Sequence, residues 1–214
     1  MRRASISASA RGKAETALQS QDPATLREGL ADCLDESDRV AEMLSTLMDI
    51  SEAETGTMQL QLEPLNLAEV ARQTVELYED LAEDRGLTIS SELPDAWVRG
   101  DRARLRQVLA NLVDNAVKYT PPGGRIELRT GGSEDDNAVV TVTDTGVGIA
   151  PDELPRIWER LYRGDKSRSE RGLGLGLSLV KAVVEAHGGT VTAESRPGHG
   201  TSVTVRLSLI QPLV

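Results

Sequence analysis

Apolar positions change their spacing along this chain, and each change marks a new element. From Pro23 to about Glu54 there is no further proline and a single glycine, and Leu30, Cys33, Val40, Leu44 and Leu47 fall close to every third and fourth position. That spacing is the seam of a coiled coil or helical hairpin, with Asp, Glu and Arg filling the solvated face. A shorter helical stretch, Lys13 to about Gln19, precedes it, and Gln21-Asp22-Pro23 separates the two, with Pro23 suited to a first helical turn. One long amphipathic helix cannot bury its own seam, so a second copy is expected to cover it; the alternative is packing on the following domain alone.

Near Gly56 the period shortens. Met58, Leu60 and Leu62 alternate with polar residues, which predicts a short strand closed by Pro64. Asn66 followed by Glu69 is a capping-box signal for a helix over Leu67–Asp84. Leu87–Leu93 and Ala96–Val98 read as strands around a Pro94-Asp95 turn, and Asp101 is placed to cap the next helix. Beyond Pro121-Pro122-Gly123-Gly124, Arg125–Thr130 and Ala138–Thr143 form a predicted hairpin. A glycine-studded region, Asp144–Gly176, leads into a helix over Leu177–His187 that Gly188-Gly189 stops, and strands Thr190–Ser195 and Thr201–Leu209 follow. The fold class is α+β: a helical hairpin over residues 1–60, then a mixed-sheet α/β sandwich with three main helices over residues 61–214.

Composition narrows the function. Apolar residues make up 39% of the 214 positions, with no Phe, so Leu, Val, Ile and Ala must fill the core. A net charge of −10 argues against nucleic acid or an anionic membrane surface as the main partner. The lone Cys33 excludes an internal disulfide framework and suits a reducing compartment. No apolar run approaches the roughly 18 residues that span a bilayer, and the basic start is not followed by the apolar core of a secretion signal. A cytoplasmic chain without membrane contact is the expectation.

The candidate chemistry begins on the helix that Asp101 caps. Asn111, Asn115 and Lys118 share one face, opposite the apolar Leu105, Val108, Leu109, Leu112, Val113 and Ala116. Two amides and an amine suit a metal with phosphates, or simply solvent. Asp144-Thr-Gly146-Val-Gly148-Ile149 follows a β-branched strand: a strand-end carboxylate can accept from an exocyclic amine, and the glycines let a flat ring approach. Alone, this Gly-x-Gly is as readily a turn. Arg171-Gly172-Leu173-Gly174-Leu175-Gly176 opens a helix whose first amides favour phosphate, but it lacks the Gly-Lys-Ser/Thr ending of a P-loop. Between them, Trp158–Glu170 carries Arg160, Arg163, Lys166 and Arg168, a basic lid over phosphates or a plain solvated loop.

Taken together, Asn111–Tyr119, Asp144-x-Gly-x-Gly, Trp158-Glu-Arg-Leu-Tyr162-Arg, Gly172-x-Gly-x-Gly and Gly198-His-Gly200-Thr201 occur in the order seen in bacterial sensor histidine kinases. The second part of the chain resembles their ATP-binding catalytic domain, of the Bergerat type shared with chaperone and topoisomerase ATPases. Residues 24–60 resemble the second helix of the dimerisation and phosphotransfer hairpin. The resemblance implies ATP and Mg²⁺ as cofactors, a response regulator receiver domain as partner, and a homodimer through the hairpin. It implies Asn115 as the Mg²⁺ ligand, with Asn111 beside it and Lys118 on phosphate. Asp144 would bind the adenine amino group, with Thr201 assisting through its hydroxyl or a water; Tyr119 would border the nucleotide, and Gly146, Gly148 and Ile149 would belong to the same binding site. Arg163, Lys166, Gly172, Leu173, Gly174, Leu175 and Gly176 would surround the phosphates. Where chaperone-type ATPases carry a glutamate base, this chain has Asn111, an amide that takes no proton, which favours phosphoryl transfer over hydrolysis. Asn111 and Lys118 are thus the implied catalytic residues.

One departure stands out. These kinases phosphorylate a histidine in the first hairpin helix, yet this chain has only His187 and His199, both in the ATP-binding part. Alignment from Arg11-Gly12 puts the acceptor at about Met1, so autophosphorylation is not expected. The main reading is the kinase core of a two-component sensor, alone or as the cytoplasmic portion of a membrane-anchored protein. Its rival is a catalytically silent ATP-binding dimer that sequesters a response regulator. A serine kinase of the same fold does not fit the preceding helices, and the acidic charge speaks against a transcription factor.

Overall fold

The computed structural model describes Gly12 and residues 22–132, 135–164 and 173–211. The chain divides into two compact units after Met48. Helix α1, Pro23–Glu54, has the length the sequence predicts; the shorter helical stretch at Lys13–Gln19 lies outside the described residues. Asp22 receives the Ala24 and Thr25 backbone N–H groups, so the helix opens on an acidic cap just before its proline. Along the predicted seam, Leu30, Cys33, Val40 and Leu44 are exposed, as are Leu34 and Met48. The last turns, from Asp49, belong to the second unit, where Ile50 is fully buried.

The described residues of the second unit form two sheets. β1 (Glu63–Asn66) pairs antiparallel with β3 (Trp97–Gly100), and a mixed five-stranded sheet runs in the order β2-β4-β5-β7-β6. Its strands are β2 (Thr88–Glu92), β4 (Arg125–Gly132), β5 (Asn137–Asp144), β6 (Thr190–Arg196) and β7 (Gly200–Ser208). Among the described residues, only the β2–β4 pair is parallel. Three helices lie on one face: α2 (Leu67–Asp84), α3 (Arg102–Tyr119) and α4 (Gly176–Ala186). The sheet alternates accordingly. Ile126, Leu128, Ala138, Val140, Val142, Val203, Val205 and Leu207 are buried beneath the helices. The opposite face is polar, with Thr141 against Thr204 and Thr143 against Ser202 at hydrogen-bond distance.

Three local expectations change. The strand predicted at Met58–Leu62 forms later, at Glu63–Asn66, and includes Pro64 instead of ending at it. A two-stranded sheet leaves β1 an open edge, where a residue without N–H costs no ladder bond. β2 and β3 do not pair with each other; they join different sheets, because β3 is held by β1 while β2 lies parallel to β4. Asn66 caps α2 through Ala68 instead of by a reciprocal box. Its Oδ1 accepts from Ala68 and Ala96, while its Nδ2 donates to Asp95.

Candidate functional site

Strand register places the site's first residues. Ser195 pairs with Thr201, and Thr143 with Ser202, so Asp144 continues the row beside Thr201 on the helix-facing side of the sheet. Asp144 Oδ1 accepts from Gly146 N at 2.7 Å and from Thr201 N at 3.2 Å. Both of these bonds end on Oδ1, which leaves Oδ2 as a further acceptor. Burial pushes the Asp144 carboxyl above the ordinary carboxylate range, against the pull of the two amides. A half-buried carboxylate with one oxygen anchored is arranged to receive a donor such as an exocyclic amine.

The loop after Asp144 is shaped by glycines that tolerate no side chain. A Cβ on Gly146 would stand 2.5 Å from the Tyr119 carbonyl oxygen and 2.7 Å from Asp144 Oδ1. Gly148, at φ +66°, would drive a Cβ to 2.1 Å from the Arg196 carbonyl. The loop is tied down on both sides: Val147 N donates to Tyr119 O, and Ile149 N to Ser195 Oγ. It therefore forms a preset wall joining the end of α3 to the β6–β7 turn.

The polar face of α3 supplies the second half. Asn111 Nδ2 donates to the Gln107 carbonyl at 2.8 Å. Since a carbonyl only accepts, the amide is oriented with Oδ1 turned away from that bond. It faces the first residue of α4: a Cβ on Gly176 would lie 2.7 Å from Asn111 Oδ1 and 3.8 Å from Asn115 Nδ2. The missing side chain leaves a cradle lined by two amides. Asn111 presents its amide oxygen there and Asn115 its amide nitrogen; each carries a neutral oxygen of the kind Mg²⁺ takes beside water and phosphate oxygens, with Asn115 needing its amide turned to offer it. The start of α4 has no side-chain cap, so its first amides remain suited to anionic oxygens. Lys118 Nζ lies 5.3 Å from the Tyr119 ring centroid, on the same helix end.

The segment between the glycine loops is described in part. A 3₁₀ turn, Leu154–Arg156, precedes Trp158. Leu161 N donates to the Gly174 carbonyl at 2.8 Å, which closes the base of the loop. Gly174, at φ +70°, has no room for a Cβ beneath the Tyr162 carbonyl and the Arg163 stem. Arg160 pairs with Glu54. Leu173 is half-buried and Leu175 buried. Lys166 and Gly172, with Arg168 and Arg171, lie outside the described residues.

Sequence reasoning missed three supports. Ser195 Oγ joins Ile149, Gly200 and Thr201. Arg104 holds Asp49 in a two-bond ion pair and also reaches Gln107, the residue whose carbonyl orients Asn111. His187 Nε2 accepts from Asp101 N at 3.0 Å and its Nδ1 lies 2.8 Å from the Val183 carbonyl, so both ring nitrogens have partners within the fold. Only Ser195 left a sequence signal, a polar residue on the inward phase of an alternating strand. The others depend on contacts between distant positions.

Residues 100–211 match the family of histidine kinase-, DNA gyrase B- and HSP90-like ATPases. The chain is 37% identical over 191 residues to the sensor histidine kinase CusS of Escherichia coli O157:H7, an alignment covering 88% of this chain and 39% of CusS. The mycobacterial sensor histidine kinase MprB superposes with a TM-score of 0.62 at 33% identity, over 69% of this chain and 98% of that one. Full-length ShkA in complex with AMPPNP superposes with a TM-score of 0.77 at 25% identity, over 97% of this chain and 44% of that one. The chain thus spans 39% or less of the length of the curated relatives CusS and CikA. Among the described residues, no helix is long and apolar enough to cross a membrane.

Proposed function

Because the chain belongs to the histidine kinase-, DNA gyrase B- and HSP90-like ATPase family and is a sensor histidine kinase catalytic core, we propose that it binds ATP with Mg²⁺ and donates the γ-phosphoryl group to a histidine. That histidine then passes it to a response regulator aspartate. The observation that carries this reading is the orientation of Asn111. Its amide faces the glycine cradle at the start of α4 from the helical position where a hydrolysing relative needs a base.

Bound ATP–Mg²⁺ supplies the transferable group and the charge that must be neutralised. Asp144 accepts the exocyclic amine of the purine through Oδ2, and Gly146 lets the ring approach the end of α3. Thr201 borders the same pocket, with Tyr119, Gly148 and Ile149 on its walls. Asn115 holds the metal through its amide oxygen, and Asn111 supports it. Lys118, Arg163, Lys166 and the backbone N–H groups of residues 172–176 balance the phosphate charge. Asn111 takes no proton from water, so the arrangement favours transfer to an acceptor over hydrolysis.

The acceptor is a histidine beyond this chain's two. His187 is engaged at both ring nitrogens, and His199 sits in the β6–β7 turn, where its N–H donates to Arg196 O. The apolar positions Leu30, Val40 and Leu44 on α1 are exposed in a single copy, which supports a homodimer through this helix. The chain is then the cytoplasmic kinase portion of a longer sensor, its residues 1–60 forming the dimerisation part and 61–214 the ATP-binding part. Labelled ATP–Mg²⁺ incubated with this chain and a separate hairpin bearing the acceptor histidine tests the proposal. Acid-labile phosphate on the hairpin is expected. ATP binding with no transfer to any such hairpin would instead mark a silent dimer that sequesters a regulator.

A further inference from the structure

We propose that Ser195 sets the purine preference of the site by fixing the direction of the Thr201 hydroxyl proton. This inference rests on the nucleotide reading above and adds to it a residue that does not touch the ligand. Ser195 Oγ has three partners: it donates to the Gly200 carbonyl at 2.8 Å, accepts from Ile149 N at 2.8 Å, and lies 2.9 Å from Thr201 Oγ1. A hydroxyl owns one proton and two lone pairs. The Ser195 proton is committed to Gly200, whose carbonyl can only accept, and one lone pair is committed to Ile149. The remaining contact therefore has one solution: Thr201 donates and Ser195 accepts.

The consequence falls on the neighbouring pocket. Thr201 stands beside Asp144 in the sheet row, with its own N–H on Asp144 Oδ1. With its proton turned along the row toward Ser195, Thr201 Oγ1 shows only lone pairs elsewhere. Asp144 Oδ2 is an acceptor as well. Two acceptors on neighbouring residues of the row match a 6-aminopurine, whose amino group carries two N–H bonds. A 6-oxopurine can offer Asp144 its N1–H, but its O6 then needs a donor, and none is present in this row. Ser195 is a positioning residue: it discriminates through Thr201. Without it, Thr201 is free to rotate and donate to O6.

The test compares ATP with inosine triphosphate, each with Mg²⁺, by titration calorimetry on the full chain. The unmodified chain binds ATP more tightly, and Ser195→Ala lowers the ATP-to-ITP affinity ratio by about fivefold, the worth of one redirected hydrogen bond. Ser195→Thr, which keeps the hydroxyl, restores the ratio. A purely structural role would weaken both nucleotides together, and an unchanged ratio in Ser195→Ala overturns the inference. Thr201→Val gives a second reading that leaves the Ser195 bonds to Ile149 and Gly200 in place. It lowers the ratio by weakening ATP alone, and adding Ser195→Ala to it has no further effect on the ratio. A ratio unmoved by Thr201→Val is equally fatal. Should the unmodified chain bind neither nucleotide, or bind ATP equally well as Asp144→Ala, the nucleotide site itself falls and this inference with it. ATP binding that requires Asp144, with a ratio indifferent to Ser195, overturns this inference alone.

Discussion

Asp49 takes two guanidinium N–H groups of Arg104, at 2.8 and 2.9 Å, across a gap of fifty-five positions in the chain. The pair is largely shielded, and its hydrogen bond to Asp49 is the main reason Arg104 holds its proton more tightly than an ordinary arginine. Arg104 also bonds Gln107, so the pair sits one residue from the carbonyl that orients Asn111. Chemical denaturation of Asp49→Ala, Arg104→Ala and the double variant should give a coupling energy of about 1–2 kcal/mol. Arg104→Lys, which keeps charge but not the two-pronged geometry, should recover only part of it. Additive single effects would show the pair to be incidental.

Asp144→Asn should stabilise the fold while weakening nucleotide binding. Burial raises the folded carboxyl above its ordinary value of 3.8, so the protonated form is favoured in the folded state. That contribution is complete below pH 3.8 and is lost as pH rises through the raised folded value; at pH 7 the charge is a net cost. Asparagine keeps an oxygen for Gly146 and Thr201 but turns an N–H toward the purine amine. The melting temperature should rise at pH 7 and the difference should vanish in acid, while ATP affinity falls more than tenfold, about 1.4 kcal/mol. In the unmodified chain, ATP affinity should begin to fall above the usual carboxylate range as pH is lowered.

Asp101 should behave in the opposite sense. Burial alone would push its carboxyl up, but N–H groups from Gln61, Arg104 and Ala103 outweigh it and hold the group below 3.8. Its contribution is therefore present above pH 3.8 and disappears as pH falls through the lowered folded value. Asp101→Ala removes the cap of α3 and the Gln61 contact, and should cost about 1–2 kcal/mol at neutral pH. Melting curves across pH should show the two proteins converging in acid; a constant gap would contradict this.

Gly146→Ala and Gly131→Ala separate site geometry from glycine content. The first puts a Cβ 2.5 Å from a backbone oxygen, whereas the second meets nothing within 4 Å. Calorimetry should find ATP binding lost in Gly146→Ala and retained in Gly131→Ala.

Much of this architecture was legible where local chemistry decides. The span Leu67–Asp84 is bounded as its cap and periodicity require, and the Asn111, Asn115 and Lys118 face emerges from spacing alone. What was not legible depends on which strand meets which. Pro64 reads as a terminator until the open edge of β1 is known, and β2 and β3 read as neighbours until the sheet order separates them. The same holds at the site. Asp144 and Gly146 announce themselves, but Ser195 matters only because register sets it opposite Thr201, and Arg104 only because Asp49 folds back upon it.

Titration of the chain with a non-hydrolysable ATP analogue, with and without Mg²⁺, tests the central claim most directly when Asn115→Ala and Asp144→Ala are measured alongside. We expect micromolar affinity, about −7 kcal/mol, for the unmodified chain with Mg²⁺. Asp144→Ala should lose more than about 1.4 kcal/mol under both conditions, and Asn115→Ala should lose as much only when Mg²⁺ is present. Binding unchanged in both variants would contradict the placement of the purine at Asp144 and of the metal at Asn115.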